Sequence, residues 1–185
     1  IRPSITIGAD GYFEDFESGK SGWLIGDKST IWSFGTPAGN KIQEAASGQK
    51  AWYTAFAGDG SSSVESPCFD FSGMDRPLLK LKLRRDLDKD RDGAALQYKV
   101  GDDPDWKILG TIDDGIDWYN SAIISGRPGG SPVGWTTAGS SDNHYYDAIH
   151  TLDDLKGKKD VKFRMAYGAA GVFSEHDGLA FDDVF

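Results

Sequence analysis

Residues Leu79-Lys80-Leu81-Lys82-Leu83-Arg84 alternate strictly between leucines and cations. Because successive side chains of a β-strand point to opposite faces, this pattern predicts a half-buried strand with one apolar face. Val161-Lys162-Phe163-Arg164-Met165-Ala166-Tyr167 repeats the alternation near the other end of the sequence. Two such strands, far apart in the chain, indicate sheets that cover a shared core on one side.

Shorter segments of the same character follow along the chain, separated almost everywhere by clusters of Gly, Pro, Asp or Ser. They predict further strands at Gly11 to Phe16, Ile31 to Phe34, Lys50 to Ala55, Ala95 to Val100, Trp106 to Leu109, Tyr146 to Leu152 and Leu179 to Phe185. Helical signals are limited to one turn at Ile42 to Ala46 and a glycine-stopped turn at Thr151 to Gly157. The stretch from Ser125 to Asn143, rich in Gly, Ser and Thr, predicts a long loop. We therefore expect an all-β fold, a two-sheet antiparallel β-sandwich of the jelly-roll type.

Composition narrows the class of protein. A length of 185 residues fits one domain, residues 1–185, and the absence of a starting Met suggests that this domain is part of a larger secreted protein. The net charge of −9 argues against nucleic-acid binding, since a phosphate backbone would be repelled. No apolar run approaches the roughly 20 residues of a membrane helix, so we expect no membrane insertion. Cys68 is the only cysteine, which excludes an internal disulfide, and its apolar surroundings favour a core position over a nucleophile.

Acidic residues gather near both ends of the chain. Asp15 and Glu17 alternate with Phe16, and Asp182 stands in the closing strand beside Asp183. Acids at strand positions that face a core are costly unless a cation satisfies them, and carboxylate oxygens without His or Cys favour Ca²⁺ over zinc. If the two terminal strands lie side by side, these acids could share one ion. The alternative is that they cap strand ends in solvent.

Several motifs in order resemble the bacterial jelly-roll domains of the MAM and cleaved-adhesin type. They run from about Tyr12 to Phe185 and read FEDFESGKSGW, WSFGTP, SGQKAW, SPCFDFSG, DGAALQYKVGDDPDWKILG and VKFRMAYGAA followed by DGLAFDDV. The resemblance implies a β-sandwich with a structural calcium between its terminal strands. Animal MAM domains carry cysteine pairs that this chain lacks, which points to the bacterial branch.

Carried over to this sequence, the resemblance implies that Asp15, Glu17 and Asp182 supply the side-chain ligands, with Asp183 as the less favoured alternative. A segment such as Ser47 to Ala51 often adds oxygens in these domains. Here Gln49 and Lys50 are not obvious ligands. Backbone carbonyls of that segment would therefore have to serve.

A second acidic group stands in the middle of the chain. Asp88, Asp90 and Asp92 alternate and are followed by Gly93, which matches the opening of a calcium-binding loop. An EF-hand is excluded because its bidentate Glu would fall on Lys99 and because the flanking segments are strand-like. Asp86 or a remote acid could complete a metal site in a hairpin. The alternative is a polar hairpin tip whose aspartates favour turn geometry.

Motifs for catalysis are absent from the sequence. His144, His150 and His176 have neither the spacing nor the neighbouring Glu of a zinc-protease helix. There is no nucleophile elbow, S-x-x-K pair or phosphate-binding loop. The paired acids that sandwich-fold glycosidases need across a cleft are not marked by a recognisable motif either. We therefore predict that the domain is not an enzyme.

Aromatic residues in loops are the usual platforms for sugar rings. Trp135 and Tyr145 flank the glycine-rich stretch and are predicted to face a ligand, with Trp118 as a further candidate. Trp23, Trp32 and Trp52 fall inside strand motifs and are predicted to lie in the core, and Trp106 follows a turn in the family-like pattern.

These observations lead to one hypothesis and two alternatives. We predict a non-catalytic, calcium-stabilised binding or adhesion module of a secreted or cell-surface bacterial protein. Its partners would be carbohydrate or a cell-surface protein, together with other domains of the parent chain. The first alternative is a structural accessory domain of a secreted protease or other hydrolase, and the second is a jelly-roll enzyme that cleaves polysaccharides.

Overall fold

The strands form two β-sheets that pack face to face. The computed structural model describes residues 4–27, 31–54, 60–138, 143–171 and 175–185. In the first sheet the strand order is β1 (Ile5–Thr6), β5 (Gly60–Asp70), β10 (Val161–Ala169), β7 (Gly93–Val100) and β8 (Lys107–Ile108), with β2 (Leu24–Ile25) also paired to β5. In the second sheet the order is β3 (Trp32–Gly35), β4 (Ala51–Thr54), β11 (Gly178–Asp182), β6 (Leu78–Asp86) and β9 (Tyr146–Thr151).

The connections confirm the predicted jelly-roll sandwich. Strand pairs are antiparallel except for β1 with β5. From β4 onward most successive strands change sheet, which gives the paired orders β4-β11-β6-β9 and β5-β10-β7-β8. This interleaving of the first four strands with the last four defines a jelly roll.

The two alternating segments behave as their sequences predict. Strand β6 buries Leu79, Leu81 and Leu83 against the core and turns its cations outward. Strand β10 likewise buries Val161, Phe163, Met165 and Tyr167. The predicted tryptophans of the core, Trp23, Trp32 and Trp52, are buried as well. The alternation of apolar and charged residues therefore correctly predicts which side chains of β6 and β10 face the core.

Two local predictions are wrong, and a third is confirmed. Residues Gly11 to Phe16 form only isolated bridges at Gly11 and Glu14, and Phe16 has a positive φ of 58° that interrupts an extended strand. Ile42 to Ala46 is not helical, because its backbone N–H groups turn to carboxylates of β11 and of the residue that precedes it. The turn predicted at Thr151 to Gly157 is present as a 3-10 turn at Asp153–Leu155.

Strand β5, the longest in the structure, was not predicted. Its serines and Pro67 have low strand propensity, but it lies between β10 on one side and β1 and β2 on the other. The register shifts at Ser66 and Pro67, where the hydroxyl oxygen of Ser66 accepts the Phe163 N–H at 2.9 Å. This bulge lets a proline occupy an inner strand, because its missing N–H is not required there.

Loops cover the outer faces of the two sheets to different extents. The β3–β4 segment (residues 36–50) lies on the outer face of the second sheet, where the carboxylate of Asp177 accepts N–H groups of Asn40, Lys41 and Ile42. The covering loop (residues 121–135) lies on one half of the outer face of the first sheet. There Gly126 and Gly168 touch backbone to backbone, and a Cβ at Gly168 would meet the Gly126 oxygen at 2.2 Å. The other half of that face is left open.

Candidate functional site

The segment around Glu14 and the segment around Val184 lie side by side, as a metal site shared by the terminal acids requires. The N–H of Glu14 donates to the Val184 carbonyl, and the N–H of Val184 donates back to the Glu14 carbonyl, both at 2.9 Å. This pairing brings the acids of residues 14–17 to the end of β11. The β3–β4 segment closes over the same place.

Asp182 is the most enclosed of the predicted ligands, with 0% of its surface exposed. Its Oδ2 accepts the N–H groups of Ala46 at 2.9 Å and Ser47 at 3.2 Å, and its Oδ1 accepts the Asp183 N–H at 2.8 Å. Within the described part of the chain, no basic side chain forms a salt bridge to it. Burial accordingly raises the pKa of Asp182 to about 7. The carboxylate is held by backbone dipoles alone.

Glu17 is bound to the same β3–β4 segment that binds Asp182. Its Oε1 accepts the N–H groups of Gln49 at 2.9 Å and Lys50 at 2.6 Å, and these hydrogen bonds hold the pKa of Glu17 below its usual value. Asp15 accepts the Glu17 N–H at 3.1 Å in a local turn. Gly48 has a φ of 56°, and a Cβ there would lie 2.4 Å from the Glu17 carboxyl carbon. The fit of residues 46–50 around the acids therefore requires a glycine.

The donor set suits a hard cation, although its side chains alone do not complete a site. Asp182 is a buried carboxylate without a counter-charge in the described residues, which is the situation that a bound cation relieves. In those same residues, no group of three or more His, Cys, Asp or Glu side chains is close enough to hold a metal ion. Ligands beyond Glu17 and Asp182 would thus have to include backbone carbonyls of residues 46–50 or water.

The three alternating aspartates of the central loop contact different partners. Asp90 accepts the Ser121 hydroxyl at 2.7 Å, while Asp88 lies 3.4 Å from the Nε of Arg91. Asp92 is 3% exposed and accepts the Ala170 N–H at 3.3 Å through one oxygen. Its second oxygen is buried without a hydrogen-bond partner, and burial raises the pKa of Asp92. The structure therefore does not bring these carboxylates together as the calcium-loop pattern predicts.

The aromatic surface predicted from the sequence is wrong for both tryptophans. Trp135 is 0% exposed and Trp118 is 3% exposed, and their ring centroids lie 4.8 Å apart in a T-shaped contact. The indole N–H of Trp135 donates to the Asp117 carbonyl at 3.0 Å, so the polar edge is satisfied inside the protein. Together with the fully buried Tyr119, these rings extend the core beyond β8. The glycine-rich loop thus places the Trp135 side chain in the interior instead of at the surface.

Tyr145 is half-buried and lies away from the covering loop. Its hydroxyl donates to the Glu44 carbonyl at 2.9 Å, and the Arg84 guanidinium lies 6.0 Å from its ring centre. The residue therefore holds down the β3–β4 segment close to Asp182. The predicted loop from Ser125 to Asn143 lies partly outside the described residues, at positions 139–142.

The histidines show no catalytic arrangement among the described residues. His150 stacks on Trp118 with ring centres 4.7 Å apart, and its Nε2 lies 3.2 Å from Asp114. His176 contacts the buried Asp86 at 2.9 Å. His144 is exposed. Cys68 is half-buried beside the bulge of β5, whereas its apolar neighbours had predicted a position in the core.

A basic groove on the open half of the first sheet was not identified from the sequence. It is formed by Lys162 and Arg164 of β10, Lys99 of β7 and Trp106, which lies opposite Lys99 next to β8. The Arg164 guanidinium lies 4.5 Å and the Lys99 ammonium 5.0 Å from the Trp106 ring centre. The only sequence signal was that Lys162 and Arg164 share the outward face of one alternating strand.

Two clefts flank this row of cations. One, of about 420 Å³, lies between β2 and β5 and is lined by Glu65 and Lys162 among others. The other, of about 220 Å³, lies against the covering loop and is lined by Asp27, Gly129 and Arg164 among others. Residues 129–130 of the covering loop therefore border the cleft next to Arg164, and the two clefts have both charged and apolar lining.

Comparisons with known proteins support the fold. No family model matches the chain. A segment of 132 residues, 69% of the chain, is 35% identical to Bacillopeptidase F of Bacillus subtilis (strain 168), of which it covers only 8%. Among solved structures, the K2 cleaved adhesin domain of Lys-gingipain has a TM-score of 0.53 at 16% identity, covering 94% of this chain and 96% of that one.

Two further solved structures have a similar fold. TmCBM61 in complex with β-1,4-galactotriose has a TM-score of 0.52 at 14% identity, covering 93% and 92% of the two chains. The K3 cleaved adhesin domain of Lys-gingipain from Porphyromonas gingivalis W83 has a TM-score of 0.51 at 16% identity, covering 94% and 95%. The chain is therefore a β-sandwich like those of cleaved adhesin domains and carbohydrate-binding modules. The MAM part of the resemblance remains a prediction.

Proposed function

We propose that this chain is a non-catalytic, calcium-stabilised carbohydrate-binding module of an extracellular protein. The observation that carries the proposal is the basic groove, where Trp106 and Arg164 lie together on an open sheet face and Arg164 also lines an adjoining cleft. Binding sites for small ligands are concave and combine aromatic or apolar walls with a few polar groups. The solved module with galactotriose has the same fold, which supports carbohydrate as the class of ligand.

The structural role of calcium belongs to the same proposal. Asp182 and Glu17 would hold the ion with backbone carbonyls of residues 46–50, and Asp15 or Asp183 would lie next to it. When bound, Ca²⁺ would neutralise the buried Asp182 carboxylate. The chain's own residues join the closing strand, the opening segment and the β3–β4 segment at this point. The metal would thus stabilise the sandwich at a place distant from the groove on the opposite sheet.

Binding to glycans tests the proposal directly. A glycan array, followed by calorimetric titration of the best ligand, should show binding by the wild-type chain. Trp106→Ala should lose about tenfold or more in affinity, because a flat aromatic ring supplies much of the contact area with a sugar. Tyr53→Ala, an aromatic substitution on the other sheet, serves as the control and should bind normally. A chain that binds no glycan, or binds equally well in both variants, would contradict the proposed groove.

A structural accessory domain of a secreted protease is the second candidate. The similarity to Bacillopeptidase F favours it, since the matched segment is a small part of a protein named as a peptidase. This candidate predicts no glycan binding and a loss of stability or secretion of the parent protease when the domain is deleted. Release of reducing sugars from a polysaccharide by the isolated domain would contradict both candidates.

A further inference from the structure

The groove contains a half-buried cation, Arg164, that forms no salt bridge with the described residues. The Nε of Arg164 donates to the side-chain oxygen of Gln97 at 2.7 Å, and the guanidinium lies over Trp106. Throughout the described residues, no carboxylate lies within salt-bridge distance of Arg164. Burial lowers the pKa of Arg164, and the charges of Glu65 and Asp27 offset only part of this effect. Its two terminal nitrogens are thus left for a ligand.

Lys99 repeats the same situation one strand away. Its ammonium lies over Trp106, and it forms no salt bridge with any residue that the structure describes. Lys162 stands directly opposite Lys99 in the pairing of β7 with β10, and it is bound by Glu65. Three cations therefore occupy adjacent outward positions in a protein whose net charge is −9.

Cations on the second sheet are bound by acids of the chain. Arg84 contacts Glu44 at 3.2 Å, while Lys80 and Lys82 both contact Asp147, at 3.2 and 3.0 Å. An acidic chain that pairs its outward cations there leaves Arg164 and Lys99 unpaired in the groove. Because a half-buried guanidinium without an anion is costly, this difference points to an anionic partner from outside.

The lining of the groove also limits how much negative charge the partner carries. Glu65 lies in the cleft with Lys162, and Asp27 lies in the cleft with Arg164. These acids would repel a dense polyanion such as a nucleic acid or a heavily sulfated chain. An isolated carboxylate is repelled less than a dense polyanion, and it matches the guanidinium, which donates two parallel hydrogen bonds to a planar anion.

We propose that the groove binds a glycan bearing carboxylate groups, a uronic-acid-containing saccharide, with Arg164 as the residue that binds the carboxylate and Trp106 supporting the neighbouring sugar ring. This inference rests on the proposed function, since it names the ligand class of the same groove. Lys99 adds a second positive charge beside the site. The charge complementarity between the groove and the ligand is what distinguishes a uronate from a neutral saccharide.

The experiment compares each acidic glycan with its own neutral form. Short oligosaccharides of polygalacturonate, alginate and hyaluronan, and the carboxyl-reduced form of each, are titrated calorimetrically into the wild-type chain with calcium present. We expect at least one acidic oligosaccharide to bind about tenfold or more tightly than its reduced form, since a charge-assisted bidentate pair is lost on reduction. Added salt should weaken only the acidic ligand.

Two variants separate the possible outcomes. Arg164→Gln should lose the preference for the acidic form, while Arg76→Gln, which removes an exposed arginine that lines neither cleft, should keep it; melting curves verify that both are folded. If acidic and reduced forms bind equally well, or if Arg164→Gln keeps the preference, the inference fails and the carbohydrate-binding function stands. If neither form binds and a glycan array is also blank, the proposed function itself fails.

Discussion

The outer faces of the two sheets differ in the sign of the charges that lack a partner of opposite charge. On the second sheet the β3–β4 segment covers the strands, and carboxylates such as Asp177 and Asp182 are buried beneath it and bound by backbone N–H groups. On the first sheet the covering loop ends half-way across, and Arg164 and Lys99 form no salt bridge with any residue in the described part of the chain. The loops, rather than the strands, thus decide which face is covered and which face is open to the proposed ligand.

The largest expected difference separates Trp135, which the sequence predicted to face a ligand, from Trp106, which it placed after a turn in the family-like pattern. Trp135→Ala should lower the free energy of unfolding by about 3–5 kcal/mol, because it empties a fully enclosed site beside Trp118. Trp106→Ala should cost only about 1 kcal/mol, since it loses partly exposed contacts with two cations. Urea denaturation measures both. Similar losses would mean that the groove is part of the core rather than a binding surface.

Calcium should act on the covered face alone. Free Ca²⁺ at about a hundredfold excess over its dissociation constant should stabilise the fold by about 2.7 kcal/mol. At about 2–4 °C per kcal/mol for a chain of this size, the melting temperature should fall by about 5–10 °C on chelation. Calorimetric melts with and without EDTA provide the measurement. Asp182→Asn should abolish the shift.

A matched control for this prediction lies on the same face. Asp147 is also an outward carboxylate of the second sheet, but Lys80 and Lys82 neutralise it, so Asp147→Asn should keep the calcium response. A melting curve of the wild-type chain that ignores EDTA would contradict the metal proposal. A shift that persists in Asp182→Asn and disappears on further Asp92→Asn substitution would move the ion to the central loop.

The smallest effect concerns pH in the absence of metal. Because burial raises the pKa of Asp182 to about 7, its contribution to stability is present below the pKa of an unfolded aspartate and is lost as pH rises through 7. In EDTA we expect the free energy of unfolding to fall by about 2 kcal/mol between pH 5 and pH 8 for this reason. Asp182→Asn should flatten that part of the profile. Calcium favours the ionised carboxylate and should therefore stabilise more at pH 8 than at pH 5.

The fold could be predicted because its signal is local. Alternating leucines and cations define β6, and the same pattern defines β10, independently of what surrounds them. The contact of Glu14 with Val184 followed from the family resemblance, which preserved the order of the terminal motifs. Strand β5 was missed because pairing on both sides outweighs the low strand propensity of its serines and Pro67.

The candidate site residues could be predicted only where a short sequence motif contains them. Asp182 and Glu17 were identified from short acidic motifs, and the structure brings both to residues 46–50. The groove takes Lys99, Trp106 and Arg164 from strands that are distant in sequence, so no window of the sequence contains it. Trp135 was misjudged because the glycines around it indicate a loop but do not indicate whether that loop folds inward.

The contact between Gly126 and Gly168 gives the groove an adjustable boundary. Since the two backbones touch with no side chain between them, a methyl group at either position would push the covering loop off the sheet. The length of saccharide that the proposed groove would accommodate is consequently set by packing at the Gly126–Gly168 contact. A substitution at this one junction would thus change the extent of the open face while the sandwich itself stays unchanged.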